Sequence, residues 1–241
     1  MIGISILNEI EVRDSNPHLK ARWSDVNNIN ILLVMLLHDK LKEYRLILAS
    51  QSPRRRQLLA DAGIEFVLAP RFECDESFPS AMPAEEVAEY LSGLKADAYP
   101  DGLDDKDILL TADTVVIADG EVLGKPKDRA EAVAMLKQLS GREHQVVRCG
   151  SLSNALCRRS FSVLSSVKFR VLTIEEIEYY VDKYKPFDKA GSYGIQEWRG
   201  YVGIEGIEGS FYNVMGLPVQ RVYCELNEFV GLVEYQVDAI V

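Results

Sequence analysis

An α/β or α+β fold built on a mixed sheet is what this sequence predicts, and three observations predict it. Continuous aliphatic runs such as "RLILA" (45–49) read as buried strands. Segments such as "DRAEAVAMLKQLSG" (128–141) carry a helical period between a capping residue and a closing glycine. The two patterns intermix along the chain instead of segregating, and Asp119-Gly120 joins a strand to an antiparallel neighbour. With 241 residues, 47% hydrophobic and 27% charged, the chain can bury a sizeable core.

The elements follow in order. "RLILAS" is a strand, and Ser52 after it is a natural N-cap with Pro53 as first helical residue. Leu58, Leu59 and Ala62 form the apolar stripe of that helix, and Gly63 stops it. A second helix is predicted from Pro83 to about Ala98, weakened by Gly93. "DILLTADTVVIADGEVLGKP" (107–126) reads as a long strand, a tight Asp-Gly turn and a short returning strand. The next helix is capped by Asp128 and closed by Gly141, and "SFSVLSSVKFRVLT" (160–173) is strand-like. Thr173 and Glu176 form a capping box for "IEEIEYYVDKY". The Gly-rich stretch from Ala190 to Gly216 is expected to be mostly loops and short strands, and Pro218 begins a last helix. Residues 1–34 are polar, mixed in charge and without a sustained period. They are expected to be a poorly ordered N-terminal extension that packs little on a main domain of residues 35–241. The apolar run Ile31 to Leu37 is the exception, suited to a surface helix or a contact with a second copy.

Composition narrows the classes of function. Lys and Arg number 27 against 37 Asp and Glu, a net charge of −10. That balance argues against non-specific nucleic-acid binding, which needs phosphates neutralised. Cys74, Cys149, Cys157 and Cys224 are scattered, without zinc spacing or a disulfide framework. The run Ile31 to Leu37 is too short to span a bilayer, and Glu9, Glu11, Asp14 and Asp25 precede it without a small-residue cleavage site after it. A cytoplasmic protein without a membrane partner is expected.

Two anomalies point to chemistry. Three consecutive arginines, Arg54 to Arg56, open the helix after Ser52-Pro53. Positive charge is unfavourable at a helix N-terminus unless an anion such as a polyphosphate arrives there. Successive helical residues diverge by about 100°, so all three cannot reach one ligand. A solvated basic face is the alternative reading. Asp113 interrupts the aliphatic run "ILLTADTVVI", where a carboxylate is costly unless paired or metal-bound. A strand-end aspartate bonded to a nearby backbone N–H is its alternative, with Thr111 and Thr114 marking a bend. Glu76 in "ECDES" and Lys125 in "LGKP" are weaker signals. His18, His38 and His144 lack acid-base partners at motif spacing, and Cys74 has no evident His or Asn pairing as a nucleophile.

The ordered stretches "LILASQSPRRRQLL", "DESFP", "LKA", "ADTVV", "GEVLGKPKD", "LSGREHQVV" and "FDKAGSYGIQ…IEGSFYNVMGLP" resemble the Maf family of nucleoside triphosphate pyrophosphatases over about residues 45–147 and 160–226. The resemblance implies an elongated α/β mixed-sheet fold of two lobes with a central cleft, related to the inosine triphosphatase fold. It also implies hydrolysis of a nucleoside triphosphate to the monophosphate and diphosphate with a divalent metal (Mg, Mn or Co). By that resemblance Asp113 matches the catalytic base, with Glu76 a second metal ligand. Ser52, Arg54, Arg55, Lys95 and Lys125 match substrate-binding positions, and Arg54, Thr114 and Gln196 match positions tied to substrate choice. "DKAGSYGIQ" is similar to the branch acting on dTTP and UTP, and a Gln amide suits the adjacent N–H and C=O edge of uracil or thymine. A nucleotide-binding regulator of cell division or septum formation with little turnover is the rival class, and a sugar-phosphate phosphatase a third. Whether the chain is a homodimer stays open. "RCGSLSNALCRR" (148–159) stands where the family has a Thr-Gly-led strand, and it breaks the pattern as a local reading-frame disturbance would.

Overall fold

The structure, a computed structural model, describes residues 35–238. The expectation for residues 1–34 therefore lies outside the described residues. The end of the apolar run is inside them: Leu37 opens a short helix α1 (Leu37–Lys40) and is buried in the core.

The first unit forms as its sequence dictates. Strand β1 (Arg45–Ala49) buries every residue after Arg45, and helix α2 (Pro53–Asp61) follows with Ser52 as N-cap and Pro53 at N1. Ser52 makes no side-chain capping bond. Gly63 ends the turn at a φ of 68°, which favours glycine. After the two-residue strand β2 (Val67–Leu68) comes α3 (Ala84–Asp97), burying Val87, Ala88 and Leu91. Strands β3 (Asp107–Ala118) and β4 (Glu121–Leu123) meet at Asp119-Gly120, both at positive φ (53° and 81°), as a type I′ turn needs. Helix α4 (Arg129–Leu139) has its Asp128 cap, whose side chain accepts from the Glu131 N–H.

Strands β5 (Glu143–Ser153) and β6 (Arg158–Phe169) pair along their whole length. The stretch from 148 to 159 is thus a continuous hairpin, not a break. Asn154 Oδ1 closes its turn by accepting from the Leu156 and Cys157 N–H groups at 3.0 and 2.8 Å. Helix α5 (Ile174–Tyr184) has the full Thr173–Glu176 capping box. The region from Ala190 to Gly216 departs from expectation. It holds strand β7 (Ile204–Glu208) but also a 3₁₀ turn (Ala190–Ser192) and two short helices, α6 (Trp198–Gly203) and α7 (Phe211–Met215). Glycines conceal such helices from a propensity reading, because tertiary packing stabilises them. Helix α8 (Val219–Asp238) closes the described chain.

Among the described residues the sheet has seven strands in the order β2-β1-β3-β5-β6-β7, with β4 also on β3. β1 runs parallel to β2 and β3, and the other pairings are antiparallel, so the sheet is mixed. Alternation along β3 sorts the core. Ile108, Leu110 and Ala112 pack with α2 and α8, while Val116 and Ala118 on the same face pack with α4 and α5. On the other face Leu109 packs with Ala96, and Val115 and Ile117 pack with Val87 and Leu91 of α3. No helix among the described residues is long and apolar enough to cross a membrane. All four cysteines are free.

Candidate active site

The site lies where the sheet is interrupted. On one edge of β3, β5 pairs without a gap from Leu109 to Ile117. On the other edge β1 ends opposite Thr111, and β4 covers only Val116 to Ala118. Residues 112–115 thus have a neighbouring strand on one side only. A cavity of about 420 Å³ opens there, lined by Ala112, Asp113 and Thr114. That size suits a small-molecule ligand. At an open edge, side chains from both faces of a strand reach one cavity, which is how Asp113 and Thr114 both line it.

Asp113 is 8% exposed and sits in an unbroken strand, so no bend accounts for it. Its Oδ1 accepts from the Thr114 N–H at 2.7 Å, and its Oδ2 accepts from Lys95 Nζ at 2.9 Å. The same ammonium lies 3.1 Å from Glu76, which is 3.6 Å from Lys125. Two carboxylates from distant segments therefore converge on one cation. No group of three or more His, Cys, Asp or Glu able to hold a metal occurs among the described residues. Hard oxygen donors in that number fit a cation such as Mg²⁺, which takes one or two carboxylates and completes its shell with phosphate oxygens and water.

The arginines divide as helical geometry requires. Arg54 lines the cavity, with Asp188 at 3.8 Å. Arg55 is turned inward: Nη1 donates to Ala112 O and Ser50 Oγ, Nε to Gly216 O and Nη2 to Thr114 Oγ1. Four of its five N–H groups are thereby committed, tying α2 to the open edge of β3. Arg56 donates back to Gln51 O and does not line the cavity. Ser52 and Lys125 are on the wall. The lining carries Arg54, Arg55, Arg148, Lys95, Lys125 and Lys189 against Asp113, Glu76 and Asp188. That is a local excess of three positive charges in a chain of net charge −10.

Gln196 is placed elsewhere. It lines a second cavity with Tyr201 and Phe211, and Met215 belongs to the walls of both. Cys74 lines the first cavity, but burial pushes its thiol pKa up, against nucleophilic use. His144 is buried, 2.8 Å from the Tyr193 hydroxyl, with its pKa lowered to about 4 by burial and by the Arg199 charge. It is a core group, and among the described residues no histidine lines the cavity. Sequence reasoning missed Arg148 and Lys189. Lys189 lies within the motif "FDKAG", while Arg148 opens the stretch read as broken.

Chemically, the arrangement can hold a polyanion against a buried carboxylate, which defines an α/β protein with a phosphate-type site. Comparison with known proteins makes this particular. The family model described as Maf-like protein matches residues 45–229, and the chain belongs to that family. The dTTP/UTP pyrophosphatase of Bacteroides thetaiotaomicron is 50% identical over 188 residues, 78% of this chain and 97% of the relative. That of Porphyromonas gingivalis is 51% identical over 193 residues, 79% of this chain and 97% of the relative. That of Parabacteroides distasonis is 50% identical over 191 residues, 79% and 99% respectively.

Proposed function

We propose that this chain hydrolyses nucleoside triphosphates, dTTP and UTP foremost and modified pyrimidine nucleotides as further candidates, to the monophosphate and diphosphate. Such an enzyme cleanses the cytoplasmic nucleotide pool. The carrying observation is Asp113, a buried carboxylate at the open edge of β3 facing a surplus of cations. The activity for which relatives about half identical over nearly their whole length are named supports the same reading.

Asp113 orients a water molecule and takes its proton for in-line attack on the α-phosphorus. Lys95 fixes the Asp113 carboxylate through its 2.9 Å bond. Arg54, Lys95 and Lys125 meet the charge that builds on the departing diphosphate. Arg55 holds Thr114 and keeps its last N–H for a phosphate oxygen. Asp113 and Glu76 would hold a divalent cation, which supplies charge neutralisation of the phosphates when bound. Gln196, in the adjoining cavity, reads the edge of the base.

Product analysis tests this. The chain, supplied with Mg²⁺, Mn²⁺ or Co²⁺ in turn, is expected to release pyrophosphate from dTTP and UTP faster than from purine triphosphates, and to stop with a chelator. Binding without release would instead indicate a nucleotide-sensing regulator. Orthophosphate as sole product would indicate a phosphatase.

A further inference from the structure

Arg148 is a charged side chain that the roles above leave unused. On β5 it stands directly opposite Thr114 of β3, so both side chains leave the sheet on the same face. It is 5% exposed and lines the cavity. Its Nε donates to Asn213 O at 2.8 Å. That carbonyl is itself held firmly. Asn213 Nδ2 donates to Val146 O, Val163 O and Ser165 Oγ at 3.3, 3.2 and 3.0 Å, and its backbone N–H donates to Ser210 Oγ.

The anchor uses one of the five guanidinium N–H groups. Among the described residues Nη1 and Nη2 have no hydrogen-bond partner, and no carboxylate pairs with Arg148. Burial and the nearby guanidiniums of Arg55 and Arg54 push its pKa well down, the signature of a cation short of counter-charge. A neutral carbonyl of a base would satisfy a donor but leave the charge uncompensated. A phosphate meets both needs, and its oxygens match the planar fork.

We propose that Arg148 is a further substrate-contacting residue, whose Nη1–Nη2 edge takes the phosphate chain of the nucleotide by paired hydrogen bonds. The proposal rests on the reading of this cavity as a nucleoside triphosphate site.

Inorganic tripolyphosphate, which has no base, is the discriminating probe. Its binding is measured by calorimetry on the full chain, beside pyrophosphate release from UTP. Arg148→Met is expected to weaken tripolyphosphate roughly 10- to 100-fold, as loss of a charged hydrogen bond does, and to raise KM for UTP by a similar factor. Arg148→Lys keeps the charge without the fork and is expected to lose roughly 3- to 10-fold. It carries the test if the Met variant fails to fold. Wild-type affinity of the variants for tripolyphosphate overturns the proposal, as does a loss confined to UTP, which would place the contact on the nucleoside. If the unaltered chain binds tripolyphosphate but releases no pyrophosphate, the hydrolase reading fails while the phosphate contact is still decided by the variants.

Discussion

Asp113 shows what one residue does when its surroundings are specialised. Both carboxylate oxygens are bonded, one to the next backbone N–H and one to Lys95, so the group is fixed before any ligand arrives. Asp113→Asn preserves size and can keep the Thr114 bond, but an amide cannot take the proton of water. Turnover is expected to fall roughly 10²- to 10⁴-fold with little change in circular dichroism. Near-normal turnover in this variant would remove Asp113 from the role of base. Gln196 is the contrasting case, since among the described residues its wall joins the first cavity only through Met215. Gln196→Glu removes the donor that a pyrimidine O4 would use and adds a negative charge. The rates for dTTP and UTP are expected to drop relative to purine triphosphates. An unchanged ratio across nucleotides would mean that the side chain does not meet the base.

Elements hold these residues by local chemistry reinforced from a distance. Helix α5 begins with the reciprocal Thr173–Glu176 box, and Glu176 also pairs with Arg170. Thr173→Ala removes the acceptor for the Glu176 N–H and is expected to cost about 1 kcal/mol, read as a lowered urea midpoint with an unchanged slope. Pyrophosphate release should survive at permissive temperature, because neither residue lines the cavity. The β5–β6 hairpin teaches the opposite lesson. Its sequence reads as disrupted because residues 148–159 stand where the family resemblance implies a Thr-Gly-led strand. The strand persists because β3 and β6 flank it on both sides and its buried hydroxyls are bonded, Ser151 Oγ lying 3.0 Å from Ser92 Oγ and 2.8 Å from Ser160 Oγ. Gly150 also has a packing reason, since a Cβ there would come 2.5 Å from the Phe161 ring.

At the scale of the whole molecule, His144 couples folding to pH. Its pKa falls from the ordinary 6.5 to about 4 because burial, and then the Arg199 charge, disfavour the imidazolium. Below pH 6.5 the unfolded chain takes up a proton that the folded chain refuses until about pH 4. Stability from this group is therefore intact above about pH 6.5 and declines towards pH 4, by at most about 3 kcal/mol. A His144→Gln chain lacks this term, so its urea midpoint is expected to fall less over that range than that of the unaltered chain. Parallel declines would assign the acid sensitivity to other groups.

The strand–turn–helix unit from Arg45 to Gly63, the Asp119-Gly120 hairpin and the caps at Asp128 and Thr173 were legible from the sequence alone. Periodicity, capping and left-handed turn residues act within a few positions, so neighbouring letters suffice to read them. Asp113 and the arginine cluster were legible as anomalies for the same reason, each violating a local rule. Assembly of the site was not. That β1 stops opposite Thr111 depends on pairing between distant segments, as does the convergence of Glu76 and Asp113 on the Lys95 ammonium. Tertiary structure alone set Arg148 across from Thr114, turned Arg55 inward and gave Gln196 a separate wall. Register and strand length are decided by which faces the whole chain can bury, and no local window contains that information.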